Sequence, residues 1–476
     1  MALLPNFEQS KNVKHSFNVG CLFDIPTGYY VKGKYGESIL NGGLAFLTAI
    51  VGIGNSYKST ILHYLGLSAL NRIFYATEES SMSTYDTEIN INHNRLEKFV
   101  SRFEYLKNKG IIANGIWNIT DKTVYYANEW YQKLREFFTD VKAKVSPKEY
   151  LETPFLERDG KTLSRILPPT FSEIDSLSQF ETSDIADIQE KNQLGESGGN
   201  MIYMRSGLAK ARFLMELPTI CGKNNHYLLM TAHMGKDTNI STGPFSVPPP
   251  QKLSSLKHGD KIKGVTDNFF FLLINVWYAY SNSPLINQNT KGPEYPPTSD
   301  LNKQESVDLY SVKLRSLRSK TGLTNITFEV IVSQNEGVMP ELTEYHYIKT
   351  MDRYGLGGSL QAVKLDLYPD LSFSRTTVRE AINKDPLFCR ALNITAEMCQ
   401  IHYLWPTLED DLMCTPKELY DDLIKLGYDW NALLQTRGWW TFNNDKHPIP
   451  FLSTMDLLRM RKGLYTPYWL NKKDKK

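Results

Sequence analysis

LAFLTAIVGIGNSYKST, residues 44–60, decides how the rest of the chain is read. An apolar run ends at Val51, a turn carries Gly52 and Gly54, and Lys58-Ser59-Thr60 opens an amphipathic stretch. A strand feeding a helix through such a turn is a phosphate cradle. The backbone N–H groups of the loop and of the helix start surround the phosphates, a lysine adds a point charge, and a hydroxyl coordinates magnesium. Gly52, Gly54, Asn55, Ser56, Tyr57, Lys58, Ser59 and Thr60 are therefore the candidate ATP-binding residues. Lys58 is also catalytic, and Ser59 is a magnesium ligand. Tyr57 stands where the pattern G-x-x-x-x-G-K-[ST] has its second glycine, so a bulky side chain must adopt a backbone conformation that glycine enters without cost.

On both sides of this stretch, apolar runs alternate with amphipathic ones. Strands are expected near 45–51, over 72–77, 170–175 and 226–232, in the apolar run 268–276, and within DLYSVKLR and ITFEVIV. Near-continuous hydrophobicity suits strands covered on both faces. Helices are expected over 58–71, 123–139 and 204–217 from three- and four-residue apolar spacing. The fold class predicted is α/β with a twisted, mostly parallel sheet. Proline-bearing polar stretches at 142–169 and 281–308 interrupt it as insertions, and past about residue 345 a smaller α-rich domain begins.

Composition narrows the function classes. With 41% hydrophobic and 22% charged residues the chain reads as globular. A net charge of only +2 excludes a protein-wide basic field, so any nucleic-acid contact must be local. Five scattered cysteines without C-x-x-C spacing fit neither a disulfide framework nor a zinc site, and suit a reducing cytoplasm. The first residues show no basic segment followed by an apolar one, so no signal peptide and no membrane association are expected.

Three further strand ends carry chemistry. IFYATEESSMSTY (73–85) offers Glu78, with Glu79 as its competitor, as the carboxylate that polarises the water attacking the γ-phosphate. Tyr85 is placed to stack on adenine. PPTFSEIDSLS (168–178) ends a strand in Asp175, which can hold a magnesium-bound water across from Ser59. HYLLMTAHMGK (226–236) ends in His233, a polar group able to touch the γ-phosphate and report it to the loop that follows.

Taken in order, GIGNSYKST, YATEESSMSTY, EIDSLSQF and LLMTAHMGK resemble the RecA recombinases, and among them the T-even phage branch. There an aromatic residue also precedes the phosphate-loop lysine, and a histidine takes the sensor position. The resemblance extends over roughly residues 22–350. It implies a RecA-like P-loop ATPase core over 22–345, a short N-terminal arm over 1–21 and a C-terminal domain over 346–476. It also supports Glu78 and Tyr85 as acid and adenine stacker, and Asp175 and His233 as metal holder and sensor. KLRSLRSKTGLTNITFEVIVSQNEGV (313–338) resembles the family's late basic hairpin, which implies that Arg318 and Lys320 act in trans on a neighbouring protomer's γ-phosphate.

The family's DNA contacts lie on two loops, here about 178–204 and 234–263. The second contains KLSSLKHGDKIK (252–263), and Lys236, Lys252, Lys257, Lys261 and Lys263 are the candidate DNA contacts, suited to a sequence-independent hold on the phosphate backbone. The implied activity is ATP-dependent homologous pairing and strand exchange, with ATP and magnesium as cofactors. The implied partners are single- and double-stranded DNA, further copies of the chain in a filament or ring, loading factors and a single-strand-binding protein. A DnaB-type ring helicase and a non-catalytic mediator that binds ATP and DNA are the alternatives. The expected location is the cytoplasm, that of a host cell if the source is viral.

Overall fold

Three segments whose residues are mostly inaccessible, Leu47–Gly52 (β1), Thr170–Asp175 (β4) and His226–Lys236 (β5), and Asn275–Pro284 (β7), buried chiefly in its first half, form the centre of a computed structural model. It describes residues 15–183, 199–236, 256, 260–264, 272–303, 308–405, 408 and 411–470. Met82–Asp86 (β2) and Trp117–Asp121 (β3) extend the sheet on one side. Leu309–Ser319 (β8), Thr327–Ser333 (β9) and Gly337–Val338 (β10) extend it on the other, and the short Asp260–Ile262 (β6) pairs with the end of β5. The order across the ten-stranded sheet is β10-β9-β8-β7-β1-β5-β4-β2-β3, with β6 off this path. From β7 to β3 the neighbours are all parallel, whereas β8, β9, β10 and β6 join in antiparallel fashion. This is the α/β fold with a mostly parallel sheet that the sequence predicts.

The helices expected at 58–71, 123–139 and 204–217 occur as Lys58–Phe74 (α1), Ala127–Asp140 (α2) and Gly199–Asn224 (α3). α1 runs past the expected end because Ile61, Leu65, Ala69 and Ile73 repeat at four-residue spacing and are all buried. The strand expected over 72–77 is therefore corrected to the last turns of α1 and the connection after it, and the second parallel strand is β2. The strand expected at 268–276 begins only at Asn275 within the described residues. Within the expected insertion, Tyr295 is fully buried, and its hydroxyl lies 2.8 Å from His346 Nδ1.

Beyond β10, the chain continues through the helix Pro340–Thr350, a three-stranded antiparallel sheet and helical segments of which Pro386–Leu404 is the longest. Its aromatic residues pack inward. Trp440 stacks on Phe17 at 5.0 Å and donates from its indole nitrogen to the Ser16 carbonyl, and Trp430 donates to the Leu367 carbonyl. All five cysteines are free thiols, as their spacing predicts. Among the described residues no helix is long and apolar enough to cross a membrane.

Candidate nucleotide site at the carboxyl ends of the parallel strands

Parallel strands place their carboxyl ends on one edge, and ligands of open α/β sheets collect there. Gly52, Asp86, Asp175 and His233 reach that edge on β1, β2, β4 and β5, with Gly52 paired to His233 and Asp86 to Asp175. The loop from Gly52 to Lys58 connects β1 to α1. A Cβ on Gly52 would lie 2.6 Å from Ser56 Oγ and 2.7 Å from the Ala279 carbonyl, so only glycine lets the loop leave the strand so tightly. Ser56 Oγ donates to the Ile53 carbonyl at 2.8 Å, and Asn282 on β7 donates to the Asn55 carbonyl at 3.1 Å.

Tyr57 has φ +59°, in the left-handed region, and so takes the backbone conformation that glycine adopts freely. Its ring lies 5.1 Å from that of Tyr310 and packs against the apolar core. Burial, with Tyr310 beside it, pushes its phenol up to about 12. Lys58 is buried and donates from Nζ to the Ile53 carbonyl at 2.6 Å. Burial lowers its pKa, while the charges of Asp175 and Glu88 oppose that shift.

Asp175 is buried, and one carboxylate oxygen accepts a hydrogen bond from the Thr231 hydroxyl on β5. Its other oxygen, Oδ2, is buried with no partner among the described residues. Burial raises its pKa, against which His63, the Ser59 hydroxyl and Thr231 act. An orphaned carboxylate oxygen beside the Ser59 hydroxyl is the hard-oxygen donor set that magnesium takes, so the residues present fit that ion.

The acid that faces this cluster is Glu88, which the sequence reading passed over. Its Oε1 lies 2.7 Å from His233 Nε2 and accepts from Ser176 Oγ at 3.0 Å. Burial raises the Glu88 carboxyl, but the hydrogen bonds from His233 and Ser176, with the charges of His233 and Lys58, bring it below its ordinary value. Its loop is fixed by Asp86, whose two carboxylate oxygens accept from the backbone N–H groups of Glu88, Ile89, Asn90 and Ile91 at 2.8–2.9 Å. The sequence signal was present: Asp-Thr-Glu directly follows Met82–Tyr85. Arg95, also passed over, donates to Thr60 Oγ1 at 3.4 Å.

Several predicted residues are not brought to this cluster. Glu78 precedes β2 rather than following it, so it lies toward the amino-terminal edge, where it pairs with Lys109 at 3.2 Å and is exposed, as is Glu79. Tyr85 is 1% exposed inside β2, stacked on Trp130 of α2 at 5.3 Å, and its hydroxyl donates to the Tyr125 carbonyl at 2.7 Å. With one face against Trp130 and no exposure, it does not offer a ring to adenine. Arg318 pairs with Val276, which itself pairs with Ala49, and Lys320 N–H donates to the Ile274 carbonyl. Both cations sit near the strand starts, away from the Gly52–Lys58 loop.

His233 is tied to the segment that carries the predicted DNA contacts. Its N–H donates to Ser178 Oγ at 2.8 Å, Ser178 Oγ donates to the Lys263 carbonyl at 3.0 Å, and Lys263 N–H donates to the His233 carbonyl at 2.8 Å. β6 pairs in register with Met234–Lys236, so Lys236, Lys261 and Lys263 share one hairpin base, where Lys236 meets Asp260. Lys252 and Lys257 lie outside the described residues.

No family model matches the sequence, and no curated protein matches it. Among solved structures, the chain is similar to one described as a RadB recombinase. The two are 12% identical, with 63% of this chain and 92% of that chain covered, at a TM-score of 0.32.

Proposed function

We propose that this chain is a RecA-like ATPase that binds ATP with magnesium on the Gly52–Thr60 loop and couples its hydrolysis to work on DNA. The observation that carries the reading is the meeting of Lys58, Asp175, Glu88 and His233 at the carboxyl edge of four parallel strands. Three of these four were named from sequence. The fourth takes the role first given to Glu78, because it is the carboxylate on the phosphate-loop edge.

In this reading Lys58 leaves the Ile53 carbonyl to meet the β- and γ-phosphates, an exchange of one charge-assisted hydrogen bond for stronger ones. Ser59 and Asp175 would hold magnesium, which when bound neutralises charge developing on the phosphates. Glu88 orients and deprotonates the attacking water, kept ionised by His233, Ser176 and Lys58. His233 shares a hydrogen bond with Glu88 and a backbone link with the Lys263 hairpin, so a change at the γ-phosphate has a short covalent and hydrogen-bonded route to the lysines. Arg318 and Lys320, remote from their own loop, serve only a neighbouring copy's site, which ties hydrolysis to assembly.

The particular work proposed is homologous pairing and strand exchange on single-stranded DNA, in keeping with the motif order and the T-even phage resemblance. Joint-molecule formation between a labelled single strand and supercoiled duplex tests it. Joints that need ATP, magnesium and homology are expected. ATP hydrolysis without joints, together with unwinding of a forked duplex, would replace pairing by helicase action.

A further inference from the structure

A sheet face covered by a helix is ordinarily apolar, since neither surface meets water. Beneath α2 the sheet departs from that rule chiefly at one end. On the face that carries Tyr85, Ile174, Leu228 and Met230, the two-residue alternation places Ser83, Ser172, Thr170, Asn118 and His226 toward the strand beginnings, and Thr120, the partner of Tyr85, farther along the edge strand β3. The apolar half is packed against α2. The polar half instead floors a cavity of about 270 Å³ that opens at the edge strand β3. Tyr125, Trp130 and Phe137 form its aromatic wall, and Lys133 stands at the rim.

The floor is arranged but incompletely satisfied. Ser83 and Ser172 hydroxyls lie 2.6 Å apart, and Thr170 Oγ1 accepts from Lys142 Nζ at 2.9 Å and lies 2.9 Å from His226 Nδ1. His226 is 1% exposed, and its Nε2 has no partner among the described residues. Burial and the nearby Lys142 charge hold this imidazole well below its ordinary pKa, so it is a neutral hydrogen-bonding group. A buried polar atom without a partner is destabilising and points to a missing one.

We propose that this cavity binds a small, flat, uncharged heteroaromatic group of nucleobase size, stacked on the half-buried Phe137 and Tyr125 rings with its polar edge on the hydroxyl floor and His226 Nε2. Aromatic walls stack on any base face, and hydroxyls, an amide and a neutral imidazole supply donors and acceptors without demanding a charge. The volume lies just under the range of drug-sized pockets, which limits the ligand to about one base or nucleoside. The site runs from the strand starts to Thr120 on the edge strand, away from the Gly52–Lys58 loop, and it does not rest on the ATPase reading. A free nucleoside and an unpaired base of a bound strand share this chemistry.

Saturation-transfer NMR on the full chain with adenosine, guanosine, cytidine and thymidine tests it, with an oligothymidylate as a second arm. Thr120→Trp fills the cavity from the half-buried edge strand, and its melting temperature reports that it still folds. Lys58→Ala removes the phosphate-loop contact. The expected result is saturable binding of at least one nucleoside by the wild type and by Lys58→Ala, reduced at least tenfold in Thr120→Trp. If oligothymidylate base signals depend on Thr120 in the same way, the base comes from a strand; if only nucleosides do, the ligand is free. No saturable nucleoside binding by the wild type, or equal binding by folded Thr120→Trp, overturns the proposal. Ser83→Ala, a smaller change, is expected to weaken binding severalfold and serves in place of Thr120→Trp if that variant does not fold.

Discussion

Glu88 Oε1 lies 2.7 Å from His233 Nε2, which joins the end of one parallel strand's loop to the end of another. Between them on the sheet lies β4, whose Asp175 and Ser176 hold the same cluster together. A carboxylate, an imidazole, a lysine and a second, half-satisfied carboxylate thus meet where the Gly52–Lys58 loop turns into a helix.

Asp175→Asn keeps the shape and the bond to Thr231 but removes the charge that faces Ser59 and Lys58. Hydrolysis is expected to need markedly more magnesium, by tenfold or more, with nucleotide binding less affected. A magnesium titration of the hydrolysis rate checks this, and an unchanged magnesium requirement would remove Asp175 from the metal site.

Tyr85 is a core residue. Tyr85→Ala is expected to cost about 3–5 kcal/mol of stability through the cavity left beside Trp130. Tyr85→Phe, which loses only the bond to the Tyr125 carbonyl, is expected to cost about 1 kcal/mol. Denaturant melts measure both. Unaltered discrimination between ATP and GTP by Tyr85→Phe and Tyr85→Leu would agree with this placement.

These outcomes bear on what the sequence made legible. The turn from strand to helix at Gly52–Lys58 and the strands that carry Asp175 and His233 follow from the punctuation of apolar runs by turn residues. The second strand was misplaced because Arg72–Thr77 is as apolar as a strand, while the true strand, MSTYD, carries hydroxyls on the face that floors the cavity. Ile73 and Phe74 fit the apolar spacing of the helix as well as they fit a strand, whereas the polar strand runs against local hydrophobicity, and tertiary packing decides both. Glu88 was lost with that strand, since an acid is assigned by the strand end it follows.

Ser178 links His233 to the Lys263 hairpin. Ser178→Ala is expected to leave basal hydrolysis within about twofold while reducing stimulation by single-stranded DNA severalfold. Hydrolysis rates with and without the strand measure the effect. Equal loss of both rates would mean that Ser178 supports only the local fold.

Glu344 is buried, and burial raises its carboxyl to about 8 despite the hydrogen bond from Asn393. A group whose folded pKa exceeds its unfolded value stabilises fully below the unfolded pKa, and that contribution is lost as pH rises through the folded one. Stability should therefore decline from about pH 4.5 to about pH 8 on this account. Glu344→Gln, which stays neutral, is expected to melt higher than the wild type at pH 9 and to show a flatter pH dependence.

The most direct test sets two acids against each other under single-turnover conditions, with ATP and magnesium saturating and single-stranded DNA present. Glu88→Gln is expected to slow hydrolysis by about 10²–10⁴-fold while still binding nucleotide, and Glu78→Gln to remain within about twofold of wild type. A Glu88→Gln protein that hydrolyses ATP normally, or a Glu78→Gln protein that does not, would contradict the assignment of the site.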